Sequence, residues 1–365
     1  MSACERVIDS GYYILGPDVQ ALEEECAEFL GNKFAIGVSS GSDALLLALM
    51  ALCIGPGDEV LCPSFTFFAT AGAVWRLGAK PVFCDVDPLT LNLDPEEIVR
   101  KTTDKTRAVI PVHLYGRSAD MDPILSLCKE RGLRVIEDAA QSYGATYKGR
   151  QSGSMGDFGA FSFFPTKNLG GLGDGGLVSS DDPEIFEMAK IMRVHGGAPK
   201  YHHKVVGGNF RIDTLQAACL RVKAKYLTDA IDCRRRNADL YRQGFEATGL
   251  VQPYAALEAG AIALPPHDDP GQSWNQYCIR VGGGRQARDA MRQHFVEQGV
   301  GSEVYYPIPL HLQECFQHLG GKPGDLPISE QASEDVMALP IFPELTEGEI
   351  AQVVETVSAF CTAKA

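Results

Sequence analysis

Residues 159–180 read GAFSFFPTKNLGGLGDGGLVSS, a stretch that places one lysine between two apolar strand patterns. GAFSFF (159–164) and GGLVSS (175–180) both predict buried strands. Glycine recurs in the segment after Lys167, so the backbone around this lysine carries few side chains. Because burial disfavours the charged form of lysine, a lysine held beside a core is neutralised, paired or used covalently.

Five further apolar runs lie upstream, and helical patterns separate them. The strand patterns are FAIGVSS (34–40), EVLCPSF (59–65), KPVFCDV (80–86), RAVIPVH (107–113) and RVIEDAA (134–140). The helical patterns cover 17–30, 42–52, 69–78, 94–102 and 121–132. Near-continuous apolar strands are typical of a parallel sheet covered on both faces, and their alternation with helices predicts an α/β fold.

The pattern of predicted helices and strands changes after Gly249. A long helical region over 213–248 comes before this residue, and shorter mixed patterns come after it. These are strands over 277–281 and 302–307, a helix over 285–299 and a last helix near 346–361. We therefore predict a large α/β domain over 1–249, which includes the long connecting helix, and a smaller α+β domain over 250–365.

Composition restricts the partners and the compartment. The 365 residues carry a formal charge of −14 with a pI near 5.0, which argues against nucleic acid or an anionic membrane surface. The 11 cysteines show neither a C-x-x-C pair nor zinc-like spacing, so no metal is predicted. Scattered thiols, no signal pattern and no apolar run of membrane-spanning length predict a cytoplasmic protein.

The segment SSGSDALLLAL (39–49) has features of an anion site. It places Gly41, Ser42 and Asp43 after a strand and in the first turn of a helix. Free backbone N–H groups and the positive end of the helix dipole at such a position suit a phosphate. An ordinary helix cap built from serine and aspartate explains the same pattern.

The segment VIEDAAQSYGA (135–145) ends a predicted strand with Glu137, Asp138 and Gln141. Polar side chains at the carboxyl end of a parallel strand face the crevice in which such sheets bind ligands. A single acid at this position could be a metal ligand, a base or the partner of a heterocyclic nitrogen.

A phosphate cradle, a strand-end acid and a lysine at one sheet edge have a common explanation in pyridoxal 5′-phosphate (PLP). This cofactor needs an anion site, a lysine for its Schiff base and an acid that keeps its pyridine nitrogen protonated. SFTFFAT (64–70) offers Phe65, Phe67 and Phe68 as flat neighbours of the ring. The run G-L-G-D-G-G leads into a strand and not a helix, which excludes a Rossmann dinucleotide loop.

Eight motifs, in order along nearly the whole chain, resemble those of the DegT/DnrJ/EryC1/StrS family of PLP-dependent nucleotide-sugar aminotransferases. They are GYYILGP (11–17), SSGSDAL (39–45), PSFTFFATAGAV (63–74), VHLYG (112–116), IEDAAQSYGA (136–145), SFFPTKNLGGLGDGG (162–176), GGNFRIDTLQAA (207–218) and YYPIPLH (305–311). The resemblance implies the aspartate-aminotransferase fold (fold type I), with a large, mostly parallel mixed sheet.

The resemblance also implies roles for matching residues. Lys167 is implied as the Schiff-base lysine and general acid–base, Asp138 as the pyridinium partner and Gln141 as a contact to the ring oxygen. Phe67 is implied to stack on the ring. The implied phosphate cradle consists of Gly41, Ser42, Asp43 and Ser162. Asn209 is implied to reach the phosphate of the neighbouring subunit, which makes the active unit a homodimer.

The reaction implied by the resemblance is amino transfer from glutamate to a keto sugar carried on a nucleotide. Its product would be an amino sugar for a surface polysaccharide or a secondary metabolite. The motifs favour a 3-oxo over a 4-oxo sugar, and Tyr305, where related uronate enzymes usually have histidine, disfavours an acidic sugar. The implied sugar-facing positions are Gly11, Tyr13, Thr166, Arg211 and Tyr306.

Two rival functions share this fold. Related sugar dehydratases carry histidine in place of the lysine, so the presence of Lys167 favours the aminotransferase. A regulatory or binding protein of the same fold would be expected to lose Lys167 or Asp138, and both are present. His113 stays open between a residue near the cofactor and a structural histidine.

Overall fold

The computed structural model describes residues 2–197, 199 and 201–364. The helices are α1 (Ser2–Ser10), α2 (Pro17–Leu30), α3 (Gly41–Ala51), α4 (Ala69–Arg76), α5 (Pro95–Lys101), α6 (Met121–Arg131), α7 (Pro183–Met192), α8 (Thr214–Ala224), α9 (Leu227–Thr248), α10 (Gly284–Glu297), α11 (Pro327–Asp335) and α12 (Glu347–Lys364). The strands are β1 (Phe34–Val38), β2 (Glu59–Pro63), β3 (Lys80–Cys84), β4 (Thr106–Val109), β5 (Arg134–Asp138), β6 (Thr146–Tyr147), β7 (Arg150–Gln151), β8 (Phe158–Ser162), β9 (Gly176–Ser180), β10 (Ile262–Ala263), β11 (Tyr277–Val281) and β12 (Val336–Leu339).

Seven strands form the main sheet, in the order β1-β9-β8-β5-β4-β2-β3. β9 runs antiparallel to both of its neighbours, β1 and β8. The remaining pairs, from β8 through β5, β4 and β2 to β3, are all parallel. The strand predictions for this sheet are confirmed, and it is mixed and mostly parallel as expected. The carboxyl ends of β2, β5 and β8 lie at one edge, where the site residues follow them.

Local chemistry explains how the helices that position the site begin and end. α2 begins with Pro17, whose fixed φ suits the first helical turn, and ends at Gly31 in the left-handed conformation with φ 74°. α3 begins after Ser40, whose hydroxyl accepts the N–H of Asp43. α3 packs against β8 and β9, and this contact brings its first turn next to the end of β8.

A second sheet, β10-β11-β12, is antiparallel and lies in the C-terminal part of the chain. Its apolar core is shared by side chains from both strands and helices: Tyr241, Phe245, Ile279, Met291, Met337 and Val357. Tyr241 and Phe245 belong to α9, so this helix connects the second core to the main sheet. The division into domains at 249/250 stays a prediction.

The strand prediction over 302–307 was wrong. Within this segment Glu303 alone pairs, in an isolated bridge with Ala338, and β12 occupies the position beside β11. Pro307, the last residue of the segment, has no N–H to donate, so pairing cannot continue past it. The predicted helical region over 213–248 consists of two helices, α8 and α9, which separate at Lys225 and Tyr226.

Candidate active site

Lys167 lies in the loop that follows β8. Its backbone N–H donates to the Phe164 carbonyl at 2.9 Å, and its side chain is partly buried. Burial lowers the pKa of Lys167, while the nearby negative charge of Asp138 opposes that effect. The amine is therefore more readily neutral than a solvated lysine, as a nucleophile or base must be.

The glycine-rich segment after Lys167 turns back under the loop. The Gly171 N–H donates to the Phe163 carbonyl at 2.7 Å, and the Leu172 N–H donates to Oε1 of Gln216 at 2.8 Å. A Cβ at Gly170 would lie 2.3 Å from the Pro165 carbonyl oxygen, so this close approach requires glycine. Gln216 was not predicted as a site residue. Its hydrogen bond to Leu172 holds the glycine-rich segment that follows Lys167.

Asp138 is the last residue of β5 and is 5% exposed. The Thr70 hydroxyl donates to its Oδ2 at 2.8 Å, and the Ala140 N–H donates to its Oδ1 at 3.2 Å. Burial raises the pKa of Asp138, and these two hydrogen bonds together with the charge of Lys167 oppose the shift. A buried carboxylate and a partly buried amine therefore stabilise each other's charge at the edge of the sheet.

Gln141 connects two loops above Asp138. Its Oε1 accepts the Tyr115 N–H at 2.7 Å, which leaves its Nε2 to donate to the Tyr306 hydroxyl oxygen at 2.9 Å. The Tyr306 ring lies 6.1 Å from each of the rings of Phe65 and Phe67, centroid to centroid. Burial and the Asp138 charge raise the pKa of Tyr306, so its hydroxyl keeps a proton to donate. Phe67 is 57% exposed, which leaves much of its ring available to a ligand.

Ser162 ends β8 directly against the first turn of α3. A Cβ on Gly41 would lie 2.7 Å from the Cβ of Ser162, so only glycine allows this approach. The Asp43 carboxylate accepts hydrogen bonds from the hydroxyls of Ser39, at 2.7 Å, and Ser40, at 3.1 Å. Its side chain therefore belongs to the helix cap, while Gly41 and Ser42 present their backbone N–H groups at the helix start.

The other predicted site residues lie farther out. Asn209 and Arg211 line a cavity of about 550 Å³ together with Ser39, Ser40 and Asp43, and the Asn209 side chain is exposed. Tyr13 is 46% exposed and donates through its hydroxyl to the Ile8 carbonyl at 3.3 Å. Gly11 and Thr166 are exposed as well. Within the described part of the chain, no hydrogen bond joins these outer residues to Lys167 or Asp138.

His113 is a structural residue. Its Nε2 lies 2.8 Å from Oε2 of Glu137, its Nδ1 accepts the Ala119 N–H at 3.0 Å, and both side chains are fully buried. Glu137 also accepts backbone N–H groups from Gly153, at 2.8 Å, and Gly156, at 2.7 Å. Neighbouring residues of a strand face opposite sides of a sheet. The Glu137 side chain therefore bonds His113 and backbone N–H groups on one side, while the Asp138 side chain faces the site on the other.

Thr70 and Gln216 contact residues of the site but were not predicted from the sequence, although both lie inside motifs of the family. Thr70 belongs to PSFTFFATAGAV and Gln216 to GGNFRIDTLQAA. A buried carboxylate at the end of a strand needs hydrogen-bond donors, but the sequence does not show which hydroxyl supplies one. Contacts over such sequence separations depend on the fold, so the motif suggests the residue but not its partner.

Comparison with known proteins places the whole chain in one group. The model of the DegT/DnrJ/EryC1/StrS aminotransferase family matches residues 1–358. A pleiotropic regulatory protein from Geobacillus stearothermophilus is 44% identical over 362 residues, which cover 99% of this chain and 94% of that protein. A UDP-N-acetyl-3-dehydro-alpha-D-glucosamine 3-aminotransferase from Acidithiobacillus ferrooxidans is 43% identical over 348 residues, with coverages of 95% and 90%.

Solved structures agree with the fold. DesV from Streptomyces venezuelae, in complex with a ketimine intermediate, matches with a TM-score of 0.91 and 39% identity over 99% of this chain and 93% of that chain. NtdA from Bacillus subtilis, with bound cofactor PMP, matches with a TM-score of 0.90 and 30% identity over 99% and 81%. The predicted aspartate-aminotransferase fold is therefore confirmed.

Proposed function

The chain belongs to the DegT/DnrJ/EryC1/StrS aminotransferase family and is a PLP-dependent sugar aminotransferase, and we propose that it transfers the amino group of glutamate to a keto sugar carried on a nucleotide. The observation that carries the proposal is a lysine and a buried acid at one sheet edge: Lys167 lies in the loop after β8, its pKa lowered by burial, and Asp138 ends β5. Both residues are present, which favours an enzyme over a regulatory protein of the same fold, although one relative is named as a regulatory protein.

The residues of the site fit PLP. Glycine at 41 lets the start of α3 lie against Ser162, and among the described residues the N–H groups of Gly41 and Ser42, unlike that of Asp43, have no acceptor and can bind a phosphate. Asp138 is buried and feels the charge of Lys167, and the exposed Phe67 ring offers a stacking surface. When bound, the cofactor supplies an electron sink for negative charge at the substrate carbon.

The side chains divide the remaining work. Lys167 holds the cofactor through Nζ, removes the proton from the substrate carbon and returns a proton later, and a lowered pKa suits both directions of transfer. Asp138, supplied with donors by Thr70 and Ala140, keeps the ring nitrogen protonated. Gln141 is oriented by Tyr115 so that its Nε2 donates to Tyr306, and this amide would be the contact to the ring oxygen of a bound cofactor.

We place a 3-oxo nucleotide sugar ahead of a 4-oxo one. The relative from Acidithiobacillus ferrooxidans is named for a 3-dehydro sugar substrate, which supports this order. The exposed positions Gly11, Tyr13 and Thr166, with the partly exposed Arg211, supply the sugar-facing surface. Tyr305, in place of a histidine, favours a neutral sugar. The product is an amino sugar for a surface polysaccharide or a secondary metabolite.

Amino transfer from glutamate to a panel of nucleotide sugars tests the function directly. The panel contains enzymatically generated 3-oxo and 4-oxo hexoses on UDP, dTDP and GDP, and mass spectrometry detects the amino product and 2-oxoglutarate. We expect turnover with at least one 3-oxo sugar. Turnover with 4-oxo sugars alone would contradict the order of preference, and no transfer to any sugar would support a regulatory role.

The free state of the cysteines supports a proposal for the cellular compartment of the protein. All eleven cysteines in the chain are free, including Cys4 and Cys219, whose sulfur atoms lie 3.3 Å apart. Free thiols at this density are typical of a reducing environment, so we propose a cytoplasmic enzyme. No described helix has both the length and the apolarity that crossing a bilayer demands.

We further propose that the enzyme is a homodimer whose subunits share each site through Asn209. Its exposed side chain beside the start of α3 is available to a second subunit. Neither Lys167→Ala nor Asn209→Ala should be active alone, but a heterodimer of the two contains one intact site. Its activity should return to about half of the wild-type value per dimer.

The matched control for this mixing experiment is Lys167→Ala with Asp138→Asn. Both of these residues belong to the same subunit's site, so their heterodimer has no intact site and should stay inactive. If heterodimers form with the impaired Asn209→Ala subunit and no activity returns, Asn209 serves its own subunit and the shared site is refuted.

A further inference from the structure

Ser64, His311 and Glu330 form a hydrogen-bonded row beside the site. The Ser64 Oγ lies 2.7 Å from Nδ1 of His311, and Nε2 of His311 lies 3.2 Å from Oε1 of Glu330. Ser64 follows β2, His311 lies in a short 3₁₀ turn (Leu310–Leu312), and Glu330 belongs to α11. Three distant segments of the chain therefore meet at one imidazole.

The row resembles a hydrolytic triad in composition only. Ser64 is 0% exposed and His311 is 2% exposed, so a substrate has no access to the serine oxygen. Nε2 carries the proton because the Glu330 carboxylate only accepts, and Nδ1 then accepts the Ser64 O–H. Burial lowers the pKa of His311, against the opposing effect of Glu330, which favours this neutral, fully bonded form.

The row fastens together two loops that carry site residues. The Leu310 N–H donates to the Ser64 carbonyl at 2.8 Å, and the His311 N–H donates to the Ser64 Oγ at 3.2 Å. Phe67 follows Ser64 by three positions, and Tyr306 precedes His311 by five. The rings of Phe67 and Tyr306 lie 6.1 Å apart, centroid to centroid, and the Tyr306 hydroxyl accepts from Gln141.

The carboxylate end of the row is anchored in turn. Glu330 accepts the Gly324 N–H at 2.8 Å and the Leu326 N–H at 3.2 Å, so it is held at the start of its own helix. On the other side, the Tyr115 hydroxyl donates to the carbonyl of Tyr305. The segment that carries Tyr306 is thus fixed at two points, one at Tyr305 and one at His311.

We propose that His311 is a positioning residue of the aminotransferase site, which holds Tyr306 and Phe67 in place through its hydrogen bonds to Ser64 and Glu330. The inference rests on the proposed function. His311 touches neither the substrate nor the cofactor, so its effect passes through the loop over 305–311. Tyr306 should therefore depend on His311 for its bond to Gln141.

The test replaces His311 by phenylalanine, which keeps a buried ring and removes both hydrogen bonds. We expect the KM for the sugar and the dissociation constant of PLP to rise by roughly ten-fold, with a smaller change in kcat. In a Tyr306→Phe background, the same replacement should raise the sugar KM by clearly less than in the wild type, because the Tyr306 hydroxyl is already absent and only the effect through Phe67 remains. An equal effect in both backgrounds would overturn the proposal.

Two measurements do not depend on amino transfer. Hydrogen exchange of the amides over 305–311 in the cofactor-free protein should speed up in His311→Phe. The visible circular dichroism of the bound cofactor should also change. Unchanged exchange and dichroism would overturn the positioning role, whereas a wild-type protein that aminates no sugar would overturn the proposed function instead.

Two further variants, Ser64→Ala and Met291→Ala, separate loss of the hydrogen-bonded row from a general loss of stability. Ser64→Ala removes only the donor to Nδ1, and we expect a weaker effect in the same direction, with the same loss of effect in the Tyr306→Phe background. Met291→Ala weakens the second core, where Met291 is 0% exposed, and should lower the melting temperature without raising the sugar KM. A Ser64→Ala protein with wild-type exchange and KM would contradict the proposal.

Discussion

Lys167→Ala should abolish amino transfer while the protein still binds PLP. The loss should be on the order of 10⁴-fold or more, because one side chain provides the covalent attachment, the base and the acid. The cofactor should remain bound through the first turn of α3, Ser162 and the Phe67 ring, which the substitution leaves intact. Absorbance after gel filtration measures retention, and single-turnover assays with glutamate measure the chemistry.

Two comparisons make this result specific. Lys167→Arg should not restore turnover, because a guanidinium cannot give up its proton at working pH. Lys190→Ala removes an exposed lysine on α7 that forms an ion pair with Glu187, at 3.5 Å, and should keep wild-type activity. Turnover by Lys167→Ala within about ten-fold of wild type would require another base and would contradict the assignment.

Asp138→Asn should lower turnover by roughly 10²- to 10⁴-fold. The amide keeps the shape of the side chain but removes the charge that holds the ring nitrogen protonated. Thr70→Val is the matched smaller change, since it keeps Asp138 and removes only the hydroxyl that donates to Oδ2 at 2.8 Å. Its effect should lie in the same direction and be weaker.

The apoprotein gives a second readout of the same substitution. The Asp138 charge raises the pKa of Lys167 against the larger lowering effect of burial. Removing that charge should lower the pKa of Lys167 further, so the pH midpoint for capture of PLP by the apoprotein should move to lower pH. A midpoint that stays in place, together with near-normal turnover, would mean that another acid partners the ring nitrogen.

The main sheet could be predicted from sequence because its strands are buried on both faces and read as nearly continuous apolar runs. The second sheet could not be predicted as well, since Val336–Leu339 is a short run directly after a helix, whereas the longer segment 302–307, with its valine and two tyrosines, makes a single bridge among the described residues. α7 was missed although Asp182 caps it and Pro183 opens it. Those two residues are a recognisable helix start.

Some residues of the site could also be predicted from the sequence, and others could not. The position of Lys167, Asp138 and Gln141 at one sheet edge could be predicted, because Asp138 ends a buried strand and the other two follow one. Thr70 and His311 could not, because their roles depend on partners 68 and 247 residues away in the chain. A hydroxyl or an imidazole carries no signal of such a partner until the fold brings the two together.

Borohydride reduction of the holoenzyme, followed by peptide mapping, tests the central claim most directly. Reduction fixes the cofactor to the amine that holds it, and mass spectrometry then identifies the modified lysine. We predict a pyridoxyl group on Lys167, in the peptide that contains SFFPTKNLGG (162–171). A pyridoxyl group on any other lysine, or a protein that retains PLP without a reducible bond, would contradict the account.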